Sequence, residues 1–174
     1  MSDTPASTSS TEPDDEILRP DEAQFRAVLG HFATGVTVIT AIDDDEPVGM
    51  AANSFTSVSL EPPLVLFCAA TASTTWPRIQ RSGAFTVNIL GSHQEDVSRL
   101  FATRGADRFG SVGWRIGVGG SPVLDDVLAY LDCKIEAEHD AGDHVIVVGA
   151  VLDLGVTADA SPLLFHRGLY GRLL

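Results

Sequence analysis

The apolar residues of this chain come in short runs, too brief for buried helices and rich in β-branched side chains that pack well on a pleated surface. Val36–Thr40, Val48–Ala52, Leu64–Ala70, Ala84–Leu90, Leu128–Ala137, Val145–Val148 and Pro162–Phe165 are each ten residues or fewer, with turn formers between them. The charged turn Asp43-Asp44-Asp45-Glu46-Pro47 makes Ile39–Ile42 and Val48–Ala52 a hairpin. Leu64–Ala70 is uninterruptedly apolar and reads as a fully buried strand. Phe85, Val87 and Ile89 share one face of the next strand. About seven strands and few long helices imply a mainly β protein, a barrel with peripheral helices.

Three helices are expected. The first starts at Asp21, whose side chain can cap it with Gln24 three residues on; Phe25, Val28, Leu29 and Phe32 follow at helical spacing, and Gly35 ends it. The second begins at Ser73-Thr74-Thr75 before Trp76-Pro77, offering free N–H groups and a hydroxyl to an anion. A capping box, Ser92-His93-Gln94-Glu95, opens the third, which aligns Val97, Leu100 and Phe101 on one side. Gly110–Gly120 is glycine-rich around Trp114 and reads as a loop or irregular hairpin; Gly117-Val118-Gly119-Gly120 lacks the strand-then-helix context of a dinucleotide loop.

From Gly49 to Leu60 there is no charge, yet Asn53, Ser54, Thr56, Ser57 and Ser59 fall within seven positions. Gly49, Ala51 and Ala52 let a flat ligand approach the backbone, and the hydroxyls and amide can satisfy a ring edge or a phosphate. The same composition also fits a Ser/Thr-rich edge strand.

The net charge of −13 argues against nucleic acid or an anionic membrane surface as partner, and no apolar run reaches the roughly 18 residues of a membrane span. No basic-then-apolar leader marks secretion. Residues 1–20 are expected to be a disordered acidic tail: Met1–Glu16 carries five acids, no Lys or Arg, and no large apolar residue after Met1. Residues 21–174 form the single folded domain. Cys68 and Cys133 lack CxxC spacing and a histidine cluster, so buried reduced thiols in a cytoplasmic protein are expected, with no metal site.

Gly49–Pro63, with Leu64-Val65-Leu66-Phe67-Cys68 after it, resembles the flavin-binding signature of the short-chain flavin reductases. These are the small partners of two-component flavin-dependent monooxygenases. Further matches occur in the family's order: Phe32–Thr40, Phe101-Ala102-Thr103-Arg104, Asp107-Arg108-Phe109, Gly142-Asp143-His144, and Arg167-Gly168-Leu169-Tyr170-Gly171. The resemblance runs from about residue 22 to the C-terminus. It departs at Ala51, where the family usually has Thr, so a hydroxyl contact is missing there or replaced by backbone.

The resemblance implies a split β-barrel of the FMN-binding type. It implies an NAD(P)H:flavin oxidoreductase using FAD or FMN, with NADH or NADPH as co-substrate, that supplies reduced flavin to a partner monooxygenase. A homodimer would complete the flavin sites across its interface. The implied flavin site is Met50, Ala51, Ala52, Asn53, Ser54, Ser57, Val58, Ser59, Ser73, Phe101 and Arg104, with Ser73 at the phosphate. The implied nicotinamide site is Thr34, His144, Arg167 and Tyr170, with His144 as the catalytic residue. Read without the family, several of these have ordinary roles. Thr34-Gly35 stops a helix, Ser73 is a cap, Arg104 favours a helix dipole or reaches a phosphate, His144 is a lone histidine at a strand start, and Arg167 is an exposed terminal arginine or a bidentate pyrophosphate donor.

Hydride transfer between two cofactors needs stacking and orientation more than acid–base groups, so the absence of a triad motif is no objection. A non-catalytic flavin carrier or sensor on the same barrel is the alternative, though it would not need Gly142-Asp143-His144 or Arg167–Tyr170. An oxidase of the pyridoxamine-phosphate type would call for more Arg and Lys. The acidic surface favours NADH over NADPH.

Overall fold

The computed structural model describes residues 20–173. The expected tail therefore lies outside the described residues, save Pro20. The elements are α1 (Glu22–Leu29), β1 (Thr34–Gly35), β2 (Thr37–Asp43), β3 (Glu46–Ala52), β4 (Thr56–Leu60), β5 (Pro63–Ala70), α2 (Trp76–Ser82), β6 (Ala84–Ile89), α3 (Glu95–Ala102), β7 (Trp114–Ile116), β8 (Pro122–Leu124), β9 (Ala129–Ala141), β10 (His144–Val156), β11 (Leu163–His166) and β12 (Leu169–Arg172).

Seven strands form one antiparallel sheet in the order β3-β2-β6-β9-β10-β5-β4. Laid flat, its edges would stand about 29 Å apart at ~4.8 Å per strand. Yet the edge strands β3 and β4 are joined by Asn53–Phe55 alone, a linker that reaches at most about 14 Å. The sheet therefore has to curl until its edges meet, leaving a seam without backbone pairing between them. Ser54 pins that seam: its Oγ accepts from Cys68 N at 2.9 Å and donates to Cys68 O at 3.3 Å. This is the split barrel that the family resemblance implies.

The interior holds Phe67, Trp76 and Phe85, with Phe67 edge-on to the other two at 5.8 and 5.2 Å. A second core, including Val38, Leu90, Phe101, Leu124 and Leu163, lies under α3 and the small sheet β1-β11-β12. The β2–β3 turn puts Asp44 and Asp45 at φ 51° and 65°, as a two-residue hairpin turn requires. Asp43 at its root is 6% exposed and takes Arg78 Nε and Arg81 Nη2 at 2.7 Å each, tying α2 to the hairpin.

Those two guanidiniums hold the Asp43 carboxyl below the usual carboxylate range, Arg78 contributing first. A carboxylate depressed on folding stabilises above its unfolded pKa of about 4, and that stabilisation is lost as pH falls through the folded value. Asp43→Asn is accordingly expected to melt lower at neutral pH and to show a flatter melting-temperature profile below pH ~4 than the parent.

Several local expectations are corrected. Helix α1 keeps its Asp21 cap, with Gln24 N donating to Oδ1 at 2.7 Å, but it stops at Gly30 and not at Gly35. Thr34 and Gly35 pair instead with Phe165 and Leu164. The capping box does not form: Gln94 is the N-cap of α3, and its Oε1 accepts from Gly91 N at 3.0 Å. Strand β5 alternates, burying Val65, Phe67 and Ala69 while Leu64, Leu66 and Cys68 are half-buried. Of the two cysteines only Cys133 is buried, and burial pushes its thiol up to about 12. The glycines at 117 and 119 serve a close approach: a Cβ on either would lie 2.3 and 3.2 Å from atoms of Asp132, which is fully buried and bonded by Gly119 N and Thr86 Oγ1.

Candidate functional site

A groove follows the outer face of β3 along the seam, in three contiguous parts. The first, about 310 Å³, lies between Met50, Ala51, Ser73, Phe101, Arg104 and Arg108. The second, about 160 Å³, shares Ala51 and adds Val36, Ala52, Asn53, Phe165 and Tyr170. The third, about 450 Å³, shares Asn53 and Phe165 and runs under α1 to Thr34, Arg167 and Gly168.

Small side chains at Ala51 and Ala52 keep the floor flat, and β3 presents them because Val38 and Thr37 pair with them along its other edge in the hairpin. Gly49 has no room for a side chain, since a Cβ there would lie 2.8 Å from Phe101 Cε1. Ser73 sits two residues before Thr75, the N-cap of α2, and its Oγ accepts from Thr75 N and Trp76 N at 3.2 and 3.1 Å. On the opposite wall Tyr170 is held by Ser98 Oγ at 2.8 Å, by the Arg99 guanidinium 4.7 Å above its ring, and edge-on by Phe165 at 5.3 Å. Thr34 Oγ1 is buried without a partner among the described residues.

The groove thus brings together Met50, Ala51, Ala52, Asn53, Ser73, Phe101 and Arg104 of the expected flavin set, with Thr34, Arg167 and Tyr170 of the nicotinamide set. Ser54 is spent on the Cys68 backbone, and Ser57, Val58 and Ser59 lie across the seam on β4, with a register shift between Ser57 and Ser59. His144 opens β10 opposite Ala70, another lining residue of the first part, without itself lining the groove. Its Nδ1 lies 2.7 Å from Asp143 Oδ1. A carboxylate only accepts, so Nδ1 carries the hydrogen and Nε2 is left facing outward. The His144 hydrogen bond and charge hold the Asp143 carboxyl below its ordinary range. His31, His93, His139 and His166 are exposed.

Among the lining residues outside the expected site are Phe165 and Arg108, the latter known from the sequence only as part of the matching triplet Asp107-Arg108-Phe109. Phe165 belongs to a short terminal strand whose pattern says only that it is apolar. Arg108 reaches back from the loop after α3, where its Nη1 donates to Gly49 O at 2.6 Å and Thr75 Oγ1 at 2.9 Å, and Nη2 to Thr103 O at 2.9 Å. No carboxylate among the described residues pairs with it, its Nε is buried without an acceptor, and burial lowers its pKa. A cation bonded only to neutral acceptors beside a cleft is suited to an anion. Among the described residues no group of three or more His, Cys, Asp or Glu could hold a metal, and no helix is long and apolar enough to cross a membrane.

Comparison with known proteins gives the same picture from another side. The family described as "Flavin reductase like domain" matches residues 29–174. The reductase subunit HsaB of a flavin-dependent monooxygenase from Rhodococcus jostii is 48% identical over 150 residues, covering 86% of this chain and 77% of that protein. A flavin reductase of Pseudomonas putida is 47% identical over 159 residues, covering 90% and 94%. Among solved structures, a homologue of nitrilotriacetate monooxygenase component B from Mycobacterium thermoresistibile superposes with a TM-score of 0.86 at 45% identity, covering 88% of this chain and 87% of that one. The NADH:FAD oxidoreductase of Streptomyces globisporus, determined with NAD and FAD fragments, gives 0.84 at 39% identity over 88% and 93%. With most of its length matched at these levels, the chain belongs to the flavin reductase-like family.

Proposed function

We propose that the protein is an NAD(P)H:flavin oxidoreductase that reduces FAD or FMN and hands the reduced flavin to a partner monooxygenase. The observation that carries this is the continuous groove: flat in its middle, with Arg104 and Arg108 at one end and Arg167 at the other. A single small ligand needs one cationic end, whereas a flavin phosphate and a nicotinamide dinucleotide lying end to end need two.

The residues present fit a flavin. Ala51 and Ala52 let the ring lie against backbone, Asn53 meets its polar edge, and the groups around Ser73, Arg104 and Arg108 receive the phosphate. When bound, the flavin supplies the hydride acceptor and the nicotinamide the donor. The chain's part is orientation: Tyr170, fixed from two sides, walls the donor side, Thr34 Oγ1 offers its unused hydroxyl there, and His144, at the start of β10 and outside the groove lining, would reach the part of the donor that extends past Ala70. Reversible flavin binding is supported by the largely neutral set of contacts. The protein would act in the cytoplasm, where two unpaired cysteines remain reduced.

A homodimer accords with the exposed apolar surface of α1 and the turn after it. Phe25, Val28, Leu29 and Phe32 are 53–75% exposed and line or adjoin the third part of the groove, so a second copy would both cover them and close the site.

Mixing the protein with NADH and FAD and following absorbance at 340 nm tests the activity. Oxidation of NADH that saturates with free flavin is expected, and a protein that binds flavin but leaves NADH untouched would be the carrier. His144→Ala is expected to raise the Michaelis constant for NADH and slow flavin reduction in stopped flow by about 10-fold or more, with flavin affinity unchanged, because a small misplacement of the donor is costly. An unchanged reduction rate with a depressed melting temperature would make His144 structural.

A further inference from the structure

Of the two methionines in the chain, Met1 lies outside the described residues and Met50 lines the groove. The Met50 side chain is half-buried: it packs against the barrel interior and also bounds the first part of the groove beside Ser73, Phe101 and Arg104. We propose that Met50 is an oxidation site: peroxide made by stray reduced flavin converts its thioether to the sulfoxide, and the sulfoxide closes the phosphate end of the groove. The proposal rests on the flavin reading of the groove.

Three features converge on it. The first is the Ser73 hydroxyl. Its oxygen already accepts from Thr75 N and Trp76 N, and its own hydrogen is left to point at Met50 Sδ, 4.0 Å away. A thioether is a weak acceptor, so that hydrogen is readily given to a phosphate; a sulfoxide oxygen is far more polar and would keep it. The second is the supply of oxidant. A reduced flavin that meets dioxygen in place of the partner passes it two electrons and two protons, leaving oxidised flavin and hydrogen peroxide. One peroxide oxygen then bonds to Sδ as the O–O bond breaks, and water leaves; the sulfur is oxidised by two electrons and the peroxide reduced by two. The third is the want of a competing thiol in the groove. Burial pushes Cys133 up to about 12, where it stays a neutral thiol, and Cys68 lines none of the groove's three parts. The sulfoxide therefore forms where the reduced flavin departs. It accumulates when the reductase outruns its partner, and it slows the binding of the next flavin.

The test titrates the full chain with FAD and, separately, with FMN, before and after exposure to hydrogen peroxide, and locates the added oxygen by tandem mass spectrometry. One oxygen on Met50 is expected to weaken flavin binding by about tenfold or more, the order of one lost hydrogen bond to a charged group. Flavin present during the exposure should protect Met50, and methionine sulfoxide reductase should restore the affinity afterwards. Met50→Leu, measured against its own untreated affinity, should lose nothing on the same exposure. During turnover with NADH and flavin in air, the parent's rate should decay unless catalase is present, whereas Met50→Leu should hold its own initial rate without it. A Met50 sulfoxide with undiminished affinity, a Met50 that stays unoxidised, or equal losses in the parent and Met50→Leu would overturn the proposal and leave the groove's assignment standing. Untreated protein that binds neither flavin would overturn the two readings together.

Discussion

Replacing Arg108 with methionine is expected to weaken flavin binding by about 10- to 100-fold. A hydrogen bond to a charged group is worth about 1.5–3 kcal/mol, and each 1.4 kcal/mol is a factor of ten. Methionine keeps the apolar stem but leaves Gly49 O, Thr75 Oγ1 and Thr103 O without their donor, so the melting temperature should fall as well. Arg108→Lys restores charge but not the fork that reaches three acceptors, and it should recover part of the affinity and little of the stability. Flavin titration beside a thermal melt separates the two effects. A lowered melt with parental affinity in both variants would make Arg108 a strut between β3, α2 and the end of α3, and nothing more.

The second large effect concerns the barrel itself. Phe67→Ala is expected to cost about 3–5 kcal/mol, since a fully buried aromatic leaves a cavity that rigid neighbours cannot close. Those neighbours are Trp76 and Phe85, both packed edge-on against it from elements that cannot shift independently. At about 2–4 °C per kcal/mol for a domain of this size, the melting temperature should drop by about 6–20 °C. Phe67→Leu should cost well under half of that. Urea denaturation with an unchanged slope would place the loss in the native core. A drop of only a degree or two would mean that the interior repacks freely.

What the sequence revealed was decided nearby in the chain. The Asp21 cap, the β2–β3 hairpin turn and the β6 face are set by residues within a few positions; the cap and the face are found as expected, and the turn tightens from Asp43–Pro47 to Asp44-Asp45. The misreadings have distant causes. Gly35 looks like a helix stop, but pairing with Leu164 some 130 residues later takes it into a strand. Ser92 looks like the cap of α3, but Gln94 takes that place, its Nε2 donating to Asp125 O more than 30 residues later. Strand β10 runs on to Val156 through Leu152, Leu154 and Val156, which alternate with Asp153 and Gly155 and are themselves exposed, so no buried run announces them. At the site, the contiguous segment Met50–Asn53 was readable as a cradle. Arg108 enters because the loop after α3 folds back onto β3 and the start of α2, a relation that no spacing encodes.

The unpaired seam between β3 and β4 ties the protein's durability to its traffic. In a closed barrel the rim hydrogen bonds persist whatever the solution contains. Here one side of the closure rests on Ser54 and on whatever lies along Met50–Asn53. A ligand seated there at 100 times its dissociation constant adds about 2.7 kcal/mol to the folded state. A protein that releases its ligand each turn thus cycles between a stiffer and a softer form, and amide hydrogens along both seam strands should exchange faster in the interval after release. Proteolytic lifetime would then follow the flavin supply of the cell, lengthening when flavin is plentiful and shortening when the partner draws it down.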